Sequence, residues 1–277
     1  PARQMPLFAD FFALARAELA LKLSRTEKAA AALSEVRPAA TGAKVFPPLA
    51  AKHRQLALSL SLDRANWERA SKQLEKTAPE EQANFRGLLF FNQGKSGKAA
   101  AVFKKILAEN TNTHPDGHPR TVITLHNLGM ASCKNRQLKE GCTWLKKALK
   151  MGKKHFPGES LYLAHSQLAL GQCLYKRGQF RDAEQELAAA FAIYEKLEIG
   201  RFALAAAHYL GHVHINLGSR KKAWTWYART LKRAESVYGP NNKALRPYLQ
   251  SLLVTAHMLG KGDEEKTFRK RIQELDQ

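Results

Sequence analysis

The sequence contains few cysteines. Only three occur in 277 residues, Cys133, Cys142 and Cys173, and they are widely spaced with no CxxC pair. This odd, scattered set predicts neither a disulfide framework nor a cysteine metal site, so we expect all three to be small buried side chains on helices. It slightly favours a reducing compartment such as the cytoplasm. Because the chain begins at Pro1, export to a place such as the bacterial periplasm, with removal of a signal peptide, is the alternative.

Long apolar runs are also absent. No stretch approaches the ~18 apolar residues that suggest a membrane-spanning helix. The strongest run, residues 7–23, is interrupted by Asp10, Arg16 and Glu18 at a spacing typical of an amphipathic helix. The sequence therefore predicts no transmembrane segment.

Acidic residues are scarce relative to basic ones. The chain has 24 Asp and Glu against 45 Lys and Arg, which gives a formal net charge of +21 at pH 7. This balance favours an acidic partner, a nucleic acid or an anionic membrane surface, and it gives no information about the fold.

Catalytic motifs are missing as well. The segment GKSGK at residues 94–98 lacks the pattern of a phosphate-binding loop, because Asn92 replaces the first glycine and Ala99 follows Lys98. The sequence has no HExxH motif, no nucleophile elbow and no paired carboxylates. We expect no enzymatic activity and no cofactor.

Histidines at helical spacing are the only candidates for a metal site. His208 and His212 lie four residues apart, with His214 nearby, and this spacing places two imidazoles on one helix face. No cysteine or carboxylate lies at a suitable local spacing, so we expect polar surface residues and no metal.

A repeated pattern of small residues occupies the middle of the chain. Gly87, Gly129, Gly171 and Gly211 follow one another at intervals of 42, 42 and 40 residues, and a leucine precedes the last three. Three further positions repeat at fixed distances: a turn residue (Gly94, Arg136, Gly178, Gly218), a small residue (Ala99, Gly141, Ala183, Ala223) and a bulky one (Phe103, Leu145, Leu187, Tyr227). Each copy thus predicts two helices joined by a tight turn. Small residues would let the two helices approach closely, and bulky residues would fill the space between neighbouring repeats.

These positions resemble the tetratricopeptide repeat, which has Leu-Gly in its first helix and small and aromatic residues in its second. The intervals of 40–42 residues, with His114-Pro115-Asp116 and Gly239-Pro240 between copies, are similar to the kinesin-light-chain type. The resemblance implies an all-α, right-handed superhelical solenoid of stacked antiparallel helix hairpins. In each hairpin we name the first helix A and the second helix B. The A helices would line a concave groove.

The sequence predicts about seven helix hairpins in a single solenoid over residues 1–277. Weaker repeats occupy residues 1–78, clear repeats residues 80–237, and a degenerate C-terminal repeat residues 247–276. The linker Arg37–Pro48 contains three prolines and one glycine and should interrupt the flanking helices.

One face of each A helix offers candidate contacts to a ligand. The resemblance implies that this face, at residues spaced three or four apart, holds an extended or helical peptide. The candidate residues are Asn84, Asn92, His126, Asn127, Met130, Lys134, His165, Gln172, Tyr175, Lys176, His208, His212, Asn216, Gln250 and His257. None of them is acidic.

The sequence therefore predicts a protein-interaction scaffold whose partner is an acidic or neutral peptide segment or helix. The alternative is binding of nucleic acid or an anionic membrane through basic B helices. Their cations are Lys146, Lys147, Lys150, Lys153, Lys154, Arg229, Lys232, Arg233, Lys266, Arg269, Lys270 and Arg271. An enzyme or a peptide-pheromone receptor would need a site or an effector domain that the sequence does not display.

Overall fold

The protein is built from helices. The computed structural model describes residues 26–34, 79–114, 117–156, 158 and 160–275, and in these ranges it contains eleven α-helices, one 3-10 helix and no β-strand. The predicted all-α class is confirmed. The chain forms two compact units, Pro1–Asn135 and Arg136–Gln277.

The N-terminal unit contains four described helices. They are α1 (Thr26–Ser34), α2 (Pro79–Asn92), α3 (Ser96–Thr113) and α4 (Pro119–Lys134). Helix α2 packs on α3, and α3 packs on α4. The predicted linker Arg37–Pro48 and the part of the weaker predicted repeats at residues 49–78 lie outside the described residues.

The C-terminal unit contains seven α-helices and one 3-10 helix. They are α5 (Leu138–His155), α6 (Leu161–Lys176), α7 (Phe180–Lys196), α8 (Gly200–Asn216), α9 (Arg220–Tyr238), η1 (Lys243–Leu245), α10 (Arg246–Met258) and α11 (Gly262–Glu274). Each helix from α5 to α11 packs on the next α-helix in the chain. The A helices are α2, α4, α6, α8 and α10, and the B helices that follow them are α3, α5, α7, α9 and α11.

Tight turns join the helices where the sequence predicts them. The predicted turn residues Gly94, Arg136, Gly178 and Gly218 all have positive φ, between +63° and +79°. At Gly178 the backbone closes α6, because the N–H of Gln179 donates to the carbonyl of Leu174 at 3.0 Å. This left-handed conformation suits glycine, which has no Cβ to collide with the following carbonyl.

A non-glycine residue adopts the same conformation between α7 and α8. Glu198 has a φ of +55°, and the N–H of Ile199 donates to the carbonyl of Tyr194 at 2.9 Å. The side chain of Glu198 is exposed. The turn therefore costs backbone strain with no burial of this side chain to offset it.

Helices lie in close contact at three of the four predicted glycines. A Cβ built on Gly87 would lie 2.5 Å from the Phe103 ring, and one on Gly171 would lie 2.6 Å from Leu187 Cγ. Gly211 faces the ring of Tyr227 in the same way. The bulky residues thus fill the space above a glycine within their own hairpin, so the prediction that they would fill the space between neighbouring repeats is wrong for Phe103, Leu187 and Tyr227.

The prediction that the cysteines would be unbridged is wrong for two of them. Cys142 on α5 and Cys173 on α6 form a disulfide across a Cα–Cα distance of 5.9 Å, and both are buried. The packing of α5 against α6 brings them together, although 31 residues separate them along the chain. Burial of these two side chains agrees with the prediction.

No described helix combines the length and the apolar character that crossing a membrane requires.

The turn at Glu198 gives a first prediction. Replacing Glu198 with glycine should raise the free energy of unfolding by about 0.5–1 kcal/mol, because glycine relieves the left-handed strain but adds entropy to the unfolded chain. Urea unfolding would measure the change. Glu198→Ala is the matched control, since it removes the same charge and keeps the strain. An equal stabilisation by both variants would attribute the effect to charge and refute the backbone argument.

The disulfide gives a second prediction. Reduction should lower the free energy of unfolding of the wild-type protein by about 3 kcal/mol, because the bond closes a loop of 31 residues in the unfolded chain. Urea unfolding with and without dithiothreitol would test it. The double variant Cys142→Ala/Cys173→Ala should not respond to reductant, whereas Cys133→Ala should respond like the wild type. A wild-type protein indifferent to reductant would contradict the prediction.

Candidate ligand-binding surface

The candidate residues of the N-terminal unit lie on α2 and α4, and two direct contacts join them. The side-chain amide of Asn127 donates to Asn84 Oδ1 at 3.3 Å. The ammonium of Lys134 donates to the Phe91 carbonyl at 3.1 Å and lies 4.5 Å from the centroid of the Phe91 ring. Of the remaining candidates, His126 and Met130 are half-buried, and Asn92 is exposed.

In the C-terminal unit, α6 and α8 bring a second group together. The amide of Asn216 donates to the Tyr175 hydroxyl at 3.3 Å and to the His212 carbonyl at 2.8 Å. The Tyr175 ring lies edge-on to Tyr209 at 5.6 Å, and its centroid is 6.1 Å from that of His212. Candidate residues of neighbouring A helices are therefore in contact in this unit as well.

A hydrogen bond also links α8 to α10. His208 Nε2 lies 2.8 Å from Ser251 Oγ, and the Ser251 hydroxyl donates to the Pro247 carbonyl at 3.0 Å. Because a hydroxyl has one hydrogen to donate, His208 must be the donor, with its proton on Nε2. His208 therefore positions α10 relative to α8.

Two candidate histidines bond to buried tyrosines of B helices. His165 Nδ1 lies 2.7 Å from the Tyr194 hydroxyl, and His212 Nδ1 lies 2.7 Å from the Tyr227 hydroxyl. Tyr194 and Tyr227 are 0% and 2% exposed, so their hydroxyls need an internal partner. These imidazoles satisfy a polar group in the hairpin interior, which gives them a structural role in addition to any contact with a ligand.

Burial keeps these imidazoles uncharged. It lowers the pKa of His165 to about 4. Burial, with a smaller effect from His212, lowers the pKa of His208 to about 4, and burial also lowers the pKa of His212. At neutral pH all three accept or donate hydrogen bonds as neutral rings, so they contribute no positive charge to the surface.

The other candidate residues of the C-terminal unit are more isolated. Gln172 is half-buried, while Lys176 and Gln250 are exposed. His257 Nδ1 donates a hydrogen bond to Glu265 Oε2 of α11 at 3.1 Å, and the His257 side chain is 79% exposed. A carboxylate of a B helix thus reaches the end of α10.

Two residues of this surface were missed from the sequence. Tyr209 connects α8 to α6, and Ser251 connects α10 to α8. Tyr209 and Asn127 occupy the same position in their repeats, two residues before the repeated glycines Gly211 and Gly129. Because Asn127 was a candidate, the repeat pattern could have identified Tyr209 as well. Ser251 lies in a degenerate repeat, and no sequence signal points to it.

The charges are distributed unevenly between the two kinds of helix. The A helices α4, α6, α8 and α10 contain no aspartate or glutamate. Their exposed candidate side chains are two lysines and three amides or imidazoles: Lys134, Lys176, Asn216, Gln250 and His257. In each unit, these helices can donate hydrogen bonds and attract carboxylates through their exposed side chains. The neutral, half-buried imidazoles of the C-terminal unit are bonded to the protein's own hydroxyls.

Among the described residues, no group of three or more His, Cys, Asp and Glu side chains is close enough together to hold a metal ion.

Comparisons with known proteins agree with the repeat pattern. The tetratricopeptide-repeat family matches residues 120–196 and residues 203–243. No curated protein matches the sequence.

Similar solved structures are found at low sequence identity. Kinesin-light-chain-type, nearly identical TPR-like repeats from Podosopora anserina are 17% identical, with a TM-score of 0.63 over 72% of this chain and 96% of theirs. BtubC (BKLC) from P. vanneervenii is 15% identical, with a TM-score of 0.63 over 82% and 91%. A Rap protein complexed with Competence and Sporulation Factor is 16% identical, with a TM-score of 0.67 over 98% and 78%. Likeness at these identities shows the fold alone.

The neutral histidines give a third prediction. Below about pH 6.5 the unfolded chain binds protons that the folded imidazoles, with pKa near 4, resist. The free energy of unfolding should therefore fall as the pH drops from 7 to 5, by about 2 kcal/mol for each of His165 and His208. Urea unfolding at several pH values would show it.

A matched pair of variants isolates this effect. His208→Gln keeps a hydrogen-bonding side chain without a titrating ring, so the slope of stability against pH should be shallower. Gln250→Ala, at an exposed side chain with no titrating group, should keep the wild-type slope. Identical slopes for all three proteins would show that His208 does not carry the effect.

Proposed function

We propose that this tetratricopeptide-repeat protein is a protein-interaction scaffold whose A helices bind an acidic or neutral peptide segment or partner helix. Such repeats are generally non-catalytic scaffolds that recognise other proteins through one helix face. The observation that carries the finer proposal is the absence of aspartate and glutamate from α4, α6, α8 and α10.

Two exposed lysines would attract the partner's carboxylates. Lys134 lies in the last turn of α4 and Lys176 in the last turn of α6. A lysine in a last turn also interacts favourably with the helix dipole, so its position alone has a structural explanation. The dipole does not explain why carboxylates are missing from the whole length of these helices, and a surface for an acidic partner does.

The exposed amides would bind the partner's backbone. Asn92 and Gln250 are exposed, and a side-chain amide can both donate to a peptide carbonyl and accept from a peptide N–H. Asn216 is exposed too, but its N–H groups bond to Tyr175 and His212, so it offers only its oxygen as an acceptor. His165, His208 and His212 are neutral and already bonded to the protein's own hydroxyls. We therefore assign them the role of holding the A helices in place beneath the contact surface.

Selection from a displayed library of random 12-residue peptides would test this function. The recovered peptides should have a net charge of zero or below, and isothermal titration calorimetry on synthetic copies should give a measurable Kd. The variant Lys176→Glu should weaken that binding about tenfold, which corresponds to about 1.4 kcal/mol.

Lys232→Glu is the matched control, because it makes the same charge change at an exposed lysine of a B helix. It should change the Kd less than about twofold if the peptide binds the A helices, since a distant surface charge is screened by salt. Equal loss in both variants would indicate attraction to the net charge alone and refute the A-helix site. Recovery of no peptide, or of basic peptides, would also refute the proposal.

A further inference from the structure

The exposed side of α5 carries a continuous row of positive charge. Its members are Lys146, Lys147, Lys150, Lys153 and Lys154, and all five are exposed. The opposite side of the helix is buried through Leu145, Ala148 and Leu149, which fixes the orientation of the row towards solvent. We call these five residues the α5 lysine row.

No carboxylate of the described residues is bound to the α5 lysine row. None of the five lysines forms an ion pair with a described residue. Helix α5 contains one acidic residue, Glu140, in its first turn. Burial raises the pKa of Glu186 on α7, and the nearby charges of Lys153 and Lys146 lower it by a smaller amount. The row is therefore largely uncompensated.

The other basic B helices differ in this respect. On α9, Arg229 and Arg233 both pair with Glu195. On α11, each of the four cations has a carboxylate partner: Lys266 with Asp263, Arg269 with Glu265, Lys270 with Glu274 and Arg271 with Glu235. Lys232, the third predicted cation of α9, has no ion pair with a described residue. Among the described residues, five predicted cations are therefore unpaired on α5, one on α9 and none on α11.

Five like charges on two helical turns repel one another. Lys146 and Lys150, and Lys150 and Lys154, stand four residues apart, a spacing at which like charges destabilise a helix. The row spans nine residues, or about 12 Å of helix axis. A bound polyanion would relieve this repulsion, and a duplex with one phosphate per ~1.7 Å of axis supplies enough charge to meet every lysine.

Helix α5 has no exposed apolar side chain that could insert into a lipid bilayer. All its exposed residues are polar, and its apolar face is packed inside the protein, so no side chain is available for insertion between lipids.

Trp144, the aromatic residue beside the α5 lysine row, already contacts other side chains of α5. Trp144 is half-buried, its indole N–H donates to Glu140 at 3.3 Å, and the Lys147 ammonium lies 4.6 Å from its ring. Stacking on unpaired bases needs an open aromatic face, so a single strand is disfavoured relative to a duplex.

We infer that the α5 lysine row is a binding surface for the phosphate backbone of duplex nucleic acid, without preference for base sequence. Lysine ammonium groups meet phosphates as point charges, and such contacts position a duplex but do not read its bases. This surface is independent of the proposed peptide site on the A helices.

Fluorescence anisotropy with a labelled 20-base-pair DNA duplex, titrated with the full chain at 50–200 mM salt, would test the inference. Wild-type protein should bind at 50 mM salt, equally well to AT-rich and GC-rich duplexes. The logarithm of its association constant should fall steeply with the logarithm of salt concentration. Replacing all five lysines of the row with glutamine should weaken binding at least tenfold and reduce that slope by about 4–5.

A second quintuple variant controls for net charge. Lys221, Lys222 and Lys232 of α9 with Lys266 and Lys270 of α11 are exposed, and their replacement by glutamine removes the same charge. This variant should lose less than about threefold in affinity. Circular dichroism melting would verify that both variants fold.

Three results would overturn the inference: no duplex binding at 50 mM salt, equal loss in the two quintuple variants, or preference for another polyanion. The last would be measured with a poly-glutamate peptide and with vesicles containing phosphatidylserine. Tighter binding of either of these than of the duplex, abolished only in the α5 variant, would assign the row to a different partner class.

Discussion

Close contact between helices at glycines is the constraint on which the rest of the structure depends. Phe103, Leu187 and Tyr227 each occupy the space that a Cβ would need on Gly87, Gly171 and Gly211. The contact at Gly211 also sets the surface above it. Because the Tyr227 ring rests on that glycine, its hydroxyl reaches the neighbouring His212, and the His212 carbonyl in turn receives the Asn216 amide. A packing contact inside a hairpin therefore determines where surface side chains lie.

Local and periodic features of this fold could be predicted from the sequence, and contacts between distant residues could not. The repeat interval and the turn residues predicted the helix order, and family matches over residues 120–196 and 203–243 agree with it. The Cys142–Cys173 bond was missed because it depends on how α5 packs on α6, which spacing along one helix does not reveal. For the same reason, helical spacing placed His165 on the candidate surface but gave no sign of its bond to Tyr194.

The A helices from α4 onward and the B helices differ in their content of aspartate and glutamate. The A helices from α4 onward contain no carboxylate, whereas α7 alone carries Asp182, Glu184, Glu186 and Glu195. Carboxylates in B helices pair with arginines, as Glu195 does with Arg229 and Arg233. The five exposed lysines of α5, by contrast, have no ion pair with a described residue. The net charge of +21 alone would not have distinguished paired from unpaired cations.

The Cys142–Cys173 disulfide has a mechanical consequence for the C-terminal unit. A stack of helix hairpins can bend, because each hairpin contacts only its neighbours and small changes of angle at every interface add up. The disulfide covalently fixes the interface between α5 and α6. The interfaces between α7 and α8 and between α9 and α10 are held by noncovalent contacts. Bending of this unit around a partner would therefore concentrate beyond α6. The disulfide makes the beginning of the C-terminal unit more rigid than the helices that follow it.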